Sequence, residues 1–278
     1  MKRRKITVII LTAIILAVLY PLIIEPNLIV STTLIRIKSK KIPLSFNGFK
    51  IIQLSDLHFG EFHLSIREDI ILNKVREVQP DLIVITGDIV SDPRGLKEAV
   101  SFIEKLASVA KVIVILGNWD HSSGYSESLV EELSLCKNTT VLINTHIVLR
   151  RSREEVYVIG VDDPYTHRSD LNKSLKSIPA EAFKILLAHS PQIVGEASGK
   201  VDLILSGHTH GGQVVVPLIG PLFVPLPPDY KKYIHGLYYV NGTYLYVSRG
   251  IGTSILPIRL LAPPEITIII LERCQDSC

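Results

Sequence analysis

Lys50-Ile51-Ile52-Gln53-Leu54-Ser55-Asp56-Leu57-His58 is an apolar run of strand length that ends in a carboxylate and an imidazole. The same design returns along the chain. Asp81 to Thr86, rich in β-branched residues, leads into Gly87-Asp88, and Lys111 to Leu116 leads into Gly117-Asn118-Trp119-Asp120. Phe183 to Ala188 ends at His189, and Val201 to Ser206 ends at Gly207-His208-Thr209-His210. Between the first three runs lie Ser65 to Val78, with Ile66, Ile70, Val75 and Val78 available to one helical face, and the helical stretch Gly95 to Ala107. Strand, helix, strand, helix, strand predicts parallel strands with helices packed on the sheet. In such sheets, sites form beyond the carboxyl ends of the strands, where all of these polar clusters fall.

The second half changes character. Val141 to Ile143, Ile147 to Arg150, Val156 to Val161, Gly236 to Val240, Thr243 to Ser248 and Glu265 to Leu271 are further strand candidates with little helix between most of them. Asn241-Gly242 between two of them is a two-residue hairpin signal. The expected fold class is α/β, with two facing mixed β-sheets flanked by helices and preceded by one N-terminal membrane helix. At 278 residues with 47 % hydrophobic side chains, the chain can bury a core of that size.

Taken singly, each cluster has an ordinary explanation. Asp56-Leu57-His58 reads as a polar turn, Asp88 as a helix cap, and His189 as a satisfied loop histidine. His208 and His210 are more specific, because alternate residues of an extended segment share a side. Taken together they gather hard oxygen and borderline nitrogen donors at one sheet rim, which is what divalent cations need. Gly87, Gly117 and Gly207 stand directly before proposed donors and let the backbone approach a bound ion or phosphate. Cys136, Cys274 and Cys278 contain no Cys-x-x-Cys pair, so a thiolate zinc site is not expected; a bridge between the two tail cysteines stays open.

A net charge of +3, with no basic stripe interleaved with aromatics, argues against nucleic acid as a partner. Residues 1–5 are basic, and 6–24 form an uncharged run that, as a helix, matches a hydrocarbon core of ~30 Å. A cleaved signal peptide is the alternative, but no small-x-small site follows. The expected organisation is a transmembrane anchor over 6–24, a linker with some extended character over 25–45, a catalytic domain over 46–272 and a tail over 273–278. Arg36, Lys38, Lys40 and Lys41 follow the run, so basic residues on both flanks leave the orientation undecided by the positive-inside rule. Those four are also candidates for contact with anionic headgroups.

The ordered set D-x-H, G-D, G-N-x-D, H, G-H-x-H resembles the calcineurin-like metallophosphoesterases over roughly residues 45 to 272. Gly207 to Gln213, Pro217 to Pro221, Val247 to Thr253 and Ala262 to Ile266 are similar to the membrane-anchored bacterial branch, with its YkuE-like phosphoesterases and UDP-2,3-diacylglucosamine pyrophosphatases of lipid A synthesis. The resemblance implies a double β-sandwich and two divalent metal ions, manganese first, with iron or zinc also suited. It implies Asp56, His58 and His210 on one ion, Asn118, His189 and His208 on the other, and Asp88 bridging. The implied reaction is in-line hydrolysis with no covalent enzyme intermediate.

One position departs from the pattern. The family carries His after the Asn, as a proton donor or transition-state partner, and this chain has Trp119, whose indole only donates an N–H. Three readings stay open: His121 takes over the role, the leaving group needs no strong acid, or activity is reduced. Asp88, Asn118, Asp120 and His121 are therefore the expected catalytic residues, and Asn118, Trp119 and Arg249 the expected substrate contacts. His63 and His167 are secondary candidates at the mouth. Leu218 to Pro228 is expected as an apolar rim loop able to receive acyl chains. The expected partners are a phosphorylated small molecule or glycolipid and the membrane, with the protein at the cell (inner) membrane. The competing functions are an outward-facing envelope phosphodiesterase or phosphomonoesterase, and an anchored phosphate-binding pseudo-enzyme.

Overall fold

The computed structural model describes residues 2–60 and 62–274. Helix α1 (Lys2–Leu19) passes through a wider π-helical turn (Tyr20–Ile24) into the short helix α2 (Glu25–Leu28). Pro21 accounts for the change of winding, since it has no N–H to give to the preceding turn. Arg4–Leu28 is long and apolar enough to cross a membrane, and its apolar side chains from Ile6 to Leu19 are exposed rather than packed on the domain.

The stretch expected as a linker over 25–45 contains a strand. In β1 (Ser31–Ser39), Ile35 and Ile37 point into the core while Leu34, Arg36 and Lys38 point out. The strand pairs in parallel with the last strand of the chain, so the sheet starts well before the boundary expected at residue 46. Long-range pairing, invisible in local pattern, converts an extended linker into a sheet edge.

After β1 come β2 (Lys50–Leu54), α3 (Ser65–Val78), β3 (Leu82–Thr86), α4 (Leu96–Ala107), β4 (Lys111–Ile115), α5 (Asn118–Ser122) and α6 (Ser126–Leu135). Then follow β5 (Thr139–Val141), β6 (Thr145–Arg151), β7 (Glu154–Gly160), α7 (Leu171–Leu175), β8 (Phe183–Leu187), α8 (Val194–Ala197) and β9 (Leu203–Ser206). The chain closes with β10 (Val215–Val216), β11 (Gly220–Pro221), β12 (Gly236–Val240), β13 (Thr243–Val247) and β14 (Glu265–Arg273). One six-stranded sheet has the order β1-β14-β2-β3-β4-β5, the other β12-β13-β9-β8-β7-β6, and β10-β11 is a separate small hairpin. The run expected at Val141 to Ile143 pairs two residues earlier, where β4 offers its free edge.

Both sheets are mixed; the inner strands β2, β3, β4, β8 and β9 are covered on both faces and largely apolar, while the edge strands β1, β6 and β12 are part-exposed. Ile51, Val84 and Ile113 of the first sheet meet Val158, Ile185 and Leu205 of the second. The alternate residues Ile52, Ile83 and Val112 turn outward onto Ile71, Val75, Phe102 and Leu129 of α3, α4 and α6. Ile159, Leu186 and Ile204 of the second sheet are covered by Leu171, Ile193 and Val194. The fold is thus the expected α/β architecture of two facing sheets flanked by helices.

Two buried polar links join the sheets beneath one rim. The Gln53 amide of β2 donates to Thr86 Oγ1 (3.1 Å) and to the Ser206 carbonyl of β9 (2.9 Å). Tyr246 Oη of β13 donates to Glu265 Oε1 of β14 at 2.5 Å. These bonds fix the register between the sheets where the five polar clusters emerge.

Candidate metal centre

The loops after β2, β3, β4, β8 and β9 meet at that rim. They are laced by backbone bonds: Asp56 N to Gly87 O (3.0 Å), His58 N to Asp88 O (3.0 Å) and Gly207 N to His189 O (2.9 Å). Asp56 (φ 53°), His58 (48°), Asp88 (52°), His208 (71°) and His210 (52°) all lie in the left-handed region. Each such residue costs on the order of 1–3 kcal/mol, and strain of this kind persists where surrounding structure enforces it. A Cβ on Gly117 would run into the Asp88 carboxylate, and one on Gly207 into Ser55 and Asp56. Only glycine lets these loops close on one another.

Two triads of buried donors result. Asp56, His58 and His210 form one; Asp88, His189 and His208 form the other, with the donor atoms of each within 4.8 Å of one another. In the first, His58 Nε2 lies 3.2 Å from His210 Nε2, which lies 3.4 Å from Asp56 Oδ1. In the second, His189 Nε2 lies 3.1 Å from Asp88 Oδ2 and 3.2 Å from His208 Nδ1. Asp88 Oδ2 is also 3.6 Å from His58 Nε2, so it faces both triads. Asn118 Oδ1 sits 3.1 Å from His189 Nε2 and joins the second group.

The ring orientations are set from behind. His189 Nδ1 donates to the Thr86 carbonyl (2.8 Å), leaving Nε2 as the inward lone pair. His208 Nε2 donates to the Pro225 carbonyl (2.9 Å), leaving Nδ1 inward. Such outer partners are what orients metal-binding imidazoles. Burial pushes His58 and His208 down to about 4 and His210 well below the usual histidine range, keeping these rings neutral. Burial raises the Asp56 carboxyl to about 6. Burial alone would also raise Asp88, but His189 holds it at about 2; the same contact raises His189 against its own burial. The residues fit two divalent ions: imidazole nitrogens and carboxylate oxygens converge in two buried groups, and no thiolate belongs to either.

The other expected site residues divide. Trp119 lines the cavity over the centre, edge-on to the His58 ring at 5.8 Å, and its backbone N–H donates to Asp88 Oδ1 (2.8 Å). Asp120, expected in catalysis, instead ties loops together: its oxygens accept from the N–H groups of Ile89 (2.8 Å), Val90 (2.9 Å) and Gly117 (2.9 Å). Burial and then the Asp88 charge raise its carboxyl to about 7. His121 pairs with Asp162 (2.7 Å) and is not in the cavity wall. Arg249, expected to meet substrate, is also outside that wall and pairs with the buried Glu265 (3.3 Å). His63 stacks on Phe59 and bonds Glu68, while His167 is an exposed turn residue.

Three contributors carried no motif. The Tyr165 ring packs 4.5 Å from that of His208 and lines the cavity. Arg259 is fully buried behind His210, with Nη2 3.3 Å from its Nδ1 and bonds to the carbonyls of Arg249, Gly252 and Ala262. Ile255, Leu256 and Ile258 form a wall of the cavity, which has a volume of about 590 Å³. For these last three residues the one signal is an uncharged stretch from Gly250 to Ile258, and Tyr165 and Arg259 lie outside it.

Two helix-flanked sheets with paired triads of buried hard donors at one rim define a dinuclear metallohydrolase architecture. The chain belongs to the calcineurin-like phosphoesterase family, whose sequence model matches residues 49–212, and it is a phosphoesterase hydrolase. It is 37 % identical to the uncharacterized metallophosphoesterase YkuE of Bacillus subtilis, over 91 % of this chain and 89 % of that protein. It is 32 % identical to phosphodiesterase YaeI of Escherichia coli (strain K12), over 80 % of this chain and 81 % of that protein. It is also 32 % identical to a Bos taurus transmembrane protein with metallophosphoesterase domain, over 87 % of this chain and 57 % of that protein.

Proposed function

We propose that the protein hydrolyses a phosphodiester or pyrophosphate bond of an amphiphilic substrate drawn from the membrane, and that UDP-2,3-diacylglucosamine is the member of that class to test first. The shape of the cavity carries this reading. It opens on Asp88, Asn118, His208 and His210, yet its walls continue into Val214, Leu222, Phe223, Ile255 and Leu256. A polar reaction end running into an apolar groove suits a phosphate that bears an acyl chain. The name of the Escherichia coli relative, a phosphodiesterase, favours a diester over a monoester.

In this reading Asp56, His58 and His210 hold one divalent ion, and Asn118, His189 and His208 the other, with Asp88 shared. Bound there, the pair supplies Lewis acidity and lowers the pKa of water at neutral pH; manganese is the ion to load first. The chain's own groups orient and exclude. Thr86 and Pro225 fix the His189 and His208 tautomers, the Trp119 N–H fixes Asp88, and the Trp119 and Tyr165 rings keep bulk water from the centre. His121 is held by Asp162 at the side, so among the described residues the only imidazoles in the wall are His208 and His210, which this reading assigns to the ions, and neither is free to protonate a departing alkoxide. A leaving group of low basicity, such as a nucleoside monophosphate, fits that wall best.

The test is mass spectrometry of products after manganese-loaded, full-length protein in mixed micelles meets UDP-2,3-diacylglucosamine. UMP and diacylglucosamine 1-phosphate are expected, and Asp88→Asn should make neither. If bis(p-nitrophenyl) phosphate is turned over but the amphiphile is untouched, the substrate reading is wrong and an envelope phosphodiesterase takes its place. If the variant and the parent are indistinguishable on both, the protein binds phosphate without turnover.

A further inference from the structure

The polarity of β1 places the end of the N-terminal helix beside the catalytic rim. β1 runs parallel to β14, which runs antiparallel to β2. Its first residue, Ser31, therefore lies at the end of the sheet where β2 delivers Asp56. The junction is bonded into the rim. The Arg259 N–H donates to the Pro21 carbonyl (2.9 Å), and Glu25 accepts from the N–H groups of Leu261 (3.0 Å) and Ala262 (2.7 Å). The neighbouring Leu260 in turn bonds Gln213 (3.0 Å) and Val215 (2.9 Å) at the base of the β10-β11 hairpin. One continuous set of hydrogen bonds thus joins helix, segment 259–262 and hairpin.

That hairpin and the turn beside it are apolar and bare. Leu218 at its tip is fully exposed and Ile219 is 74 % exposed; Ile255 on the facing turn is 72 % exposed. No charged residue occurs from Gly211 to Pro228 or from Ile251 to Ile258. Leu222, Phe223, Ile255 and Leu256 flank the same cavity from its two sides. Phe62 and Leu64, both half-exposed, extend the apolar skirt to Leu22 and Pro26 at the foot of the helix. Soluble surfaces seldom expose contiguous apolar patches of this kind without a partner, and the patch is continuous with a segment built to enter lipid.

We propose that the 217–223 hairpin and the 254–258 turn form a second membrane contact, dipping the two lips of the cavity into the interfacial layer of the bilayer that holds the exposed apolar stretch Ile6 to Leu19 of α1. The helix and the lips together fix the catalytic rim against the lipid, so the cavity mouth opens into the headgroup region rather than into bulk water. The inference rests on α1 being a membrane span and deepens the substrate reading above. It also moves Arg36, Lys38, Lys40 and Lys41 away from the headgroups, because β1 carries them toward the opposite end of the sheet.

The chain has a single tryptophan, Trp119, which allows a direct test. Full-length protein is reconstituted into vesicles of phosphatidylcholine or of its chain-brominated analogue, and tryptophan emission is compared. Ile219→Trp and Leu256→Trp report the lips, Leu11→Trp reports the span, and Leu135→Trp, exposed at the far end of α6, reports the opposite face. Wild type supplies the Trp119 background. The bromolipid is expected to quench the added emission at 219 and 256 by at least about two-fold, and at 11 by more, with none at 135. Quenching at 11 without quenching at 219 and 256 overturns the proposal, and no quenching at 11 overturns it together with the span. Hydrolysis of bis(p-nitrophenyl) phosphate by the wild type in the same vesicles reads the centre separately, so loss of lipid contact and loss of chemistry are distinct results.

Discussion

Asp88 is the residue both triads need. Its Oδ2 faces His189 at 3.1 Å and His58 at 3.6 Å, while its Oδ1 is held by the Trp119 N–H. Asp88→Asn keeps the shape and removes the charge. Turnover of bis(p-nitrophenyl) phosphate should fall by at least about 100-fold, and bound manganese, counted by plasma mass spectrometry, should fall with it. At this scale the sequence was highly legible, because Asp, Asn and His after apolar runs advertise themselves. It was less legible in what each does. Asp120 and His121 sit in the same short motif as Asn118, yet one ties loops and the other turns aside to Asp162. Side-chain direction within a short helix depends on partners that arrive from distant parts of the chain.

At the scale of elements, β1 decides most. Local pattern suggested an extended linker, whereas β14, at the other end of the chain, makes it a sheet edge. If that pairing is structural, Ile37, fully buried, matters and Leu34, half-exposed on the other face, does not. Ile37→Ala should cost about 2–5 kcal/mol of unfolding free energy in detergent, and Leu34→Ala under about 0.5 kcal/mol. Equal effects would mean the segment is the flexible tether its local pattern suggested. The bounds of α3, α4 and the hairpin β12-β13 were readable to within a residue, since apolar spacing and an Asn-Gly turn are local properties, but the face of α3 was not: Ile71, Leu72 and Val75 are buried while Ile66, expected on that face, is half-exposed. The hairpin β10-β11 was not, because so short a pairing leaves no periodic trace.

Across the whole molecule, the two sheets are held at the catalytic rim by Glu265. Burial would raise its carboxyl, but bonds from Thr33, Tyr246 and the Arg249 N–H hold it below the usual carboxylate range. A depressed folded value stabilises the fold above the unfolded value of about 4.3, and that stability is lost as pH falls through the folded one. Wild type should therefore lose more stability than Glu265→Gln as pH falls from about 7 to below about 4, read from urea midpoints in detergent; equal losses would remove Glu265 from the account. Metal removal acts at the same scale. Ions at about 100 times their dissociation constant add about 2.7 kcal/mol to a fold that alone can bind them. Chelation should lower the melting temperature by about 5–10 °C, with no change in Asp88→Asn if that variant no longer binds them.

The sequence by itself determined the class of fold, the rim on which the polar clusters gather and the presence of an N-terminal apolar helix. Each of these follows from local periodicity and from chemistry adjacent in the chain. Only the tertiary structure decided that Ser31–Ser39 is a strand, that the helix leaves the sheet at the catalytic rim, and that Tyr165, Arg259 and the uncharged turn at 254–258 shape the site. The physical reason is the same in each case. These features come from pairings between residues far apart in the chain, whose free energy is gained on packing and leaves no mark on the neighbours of either partner.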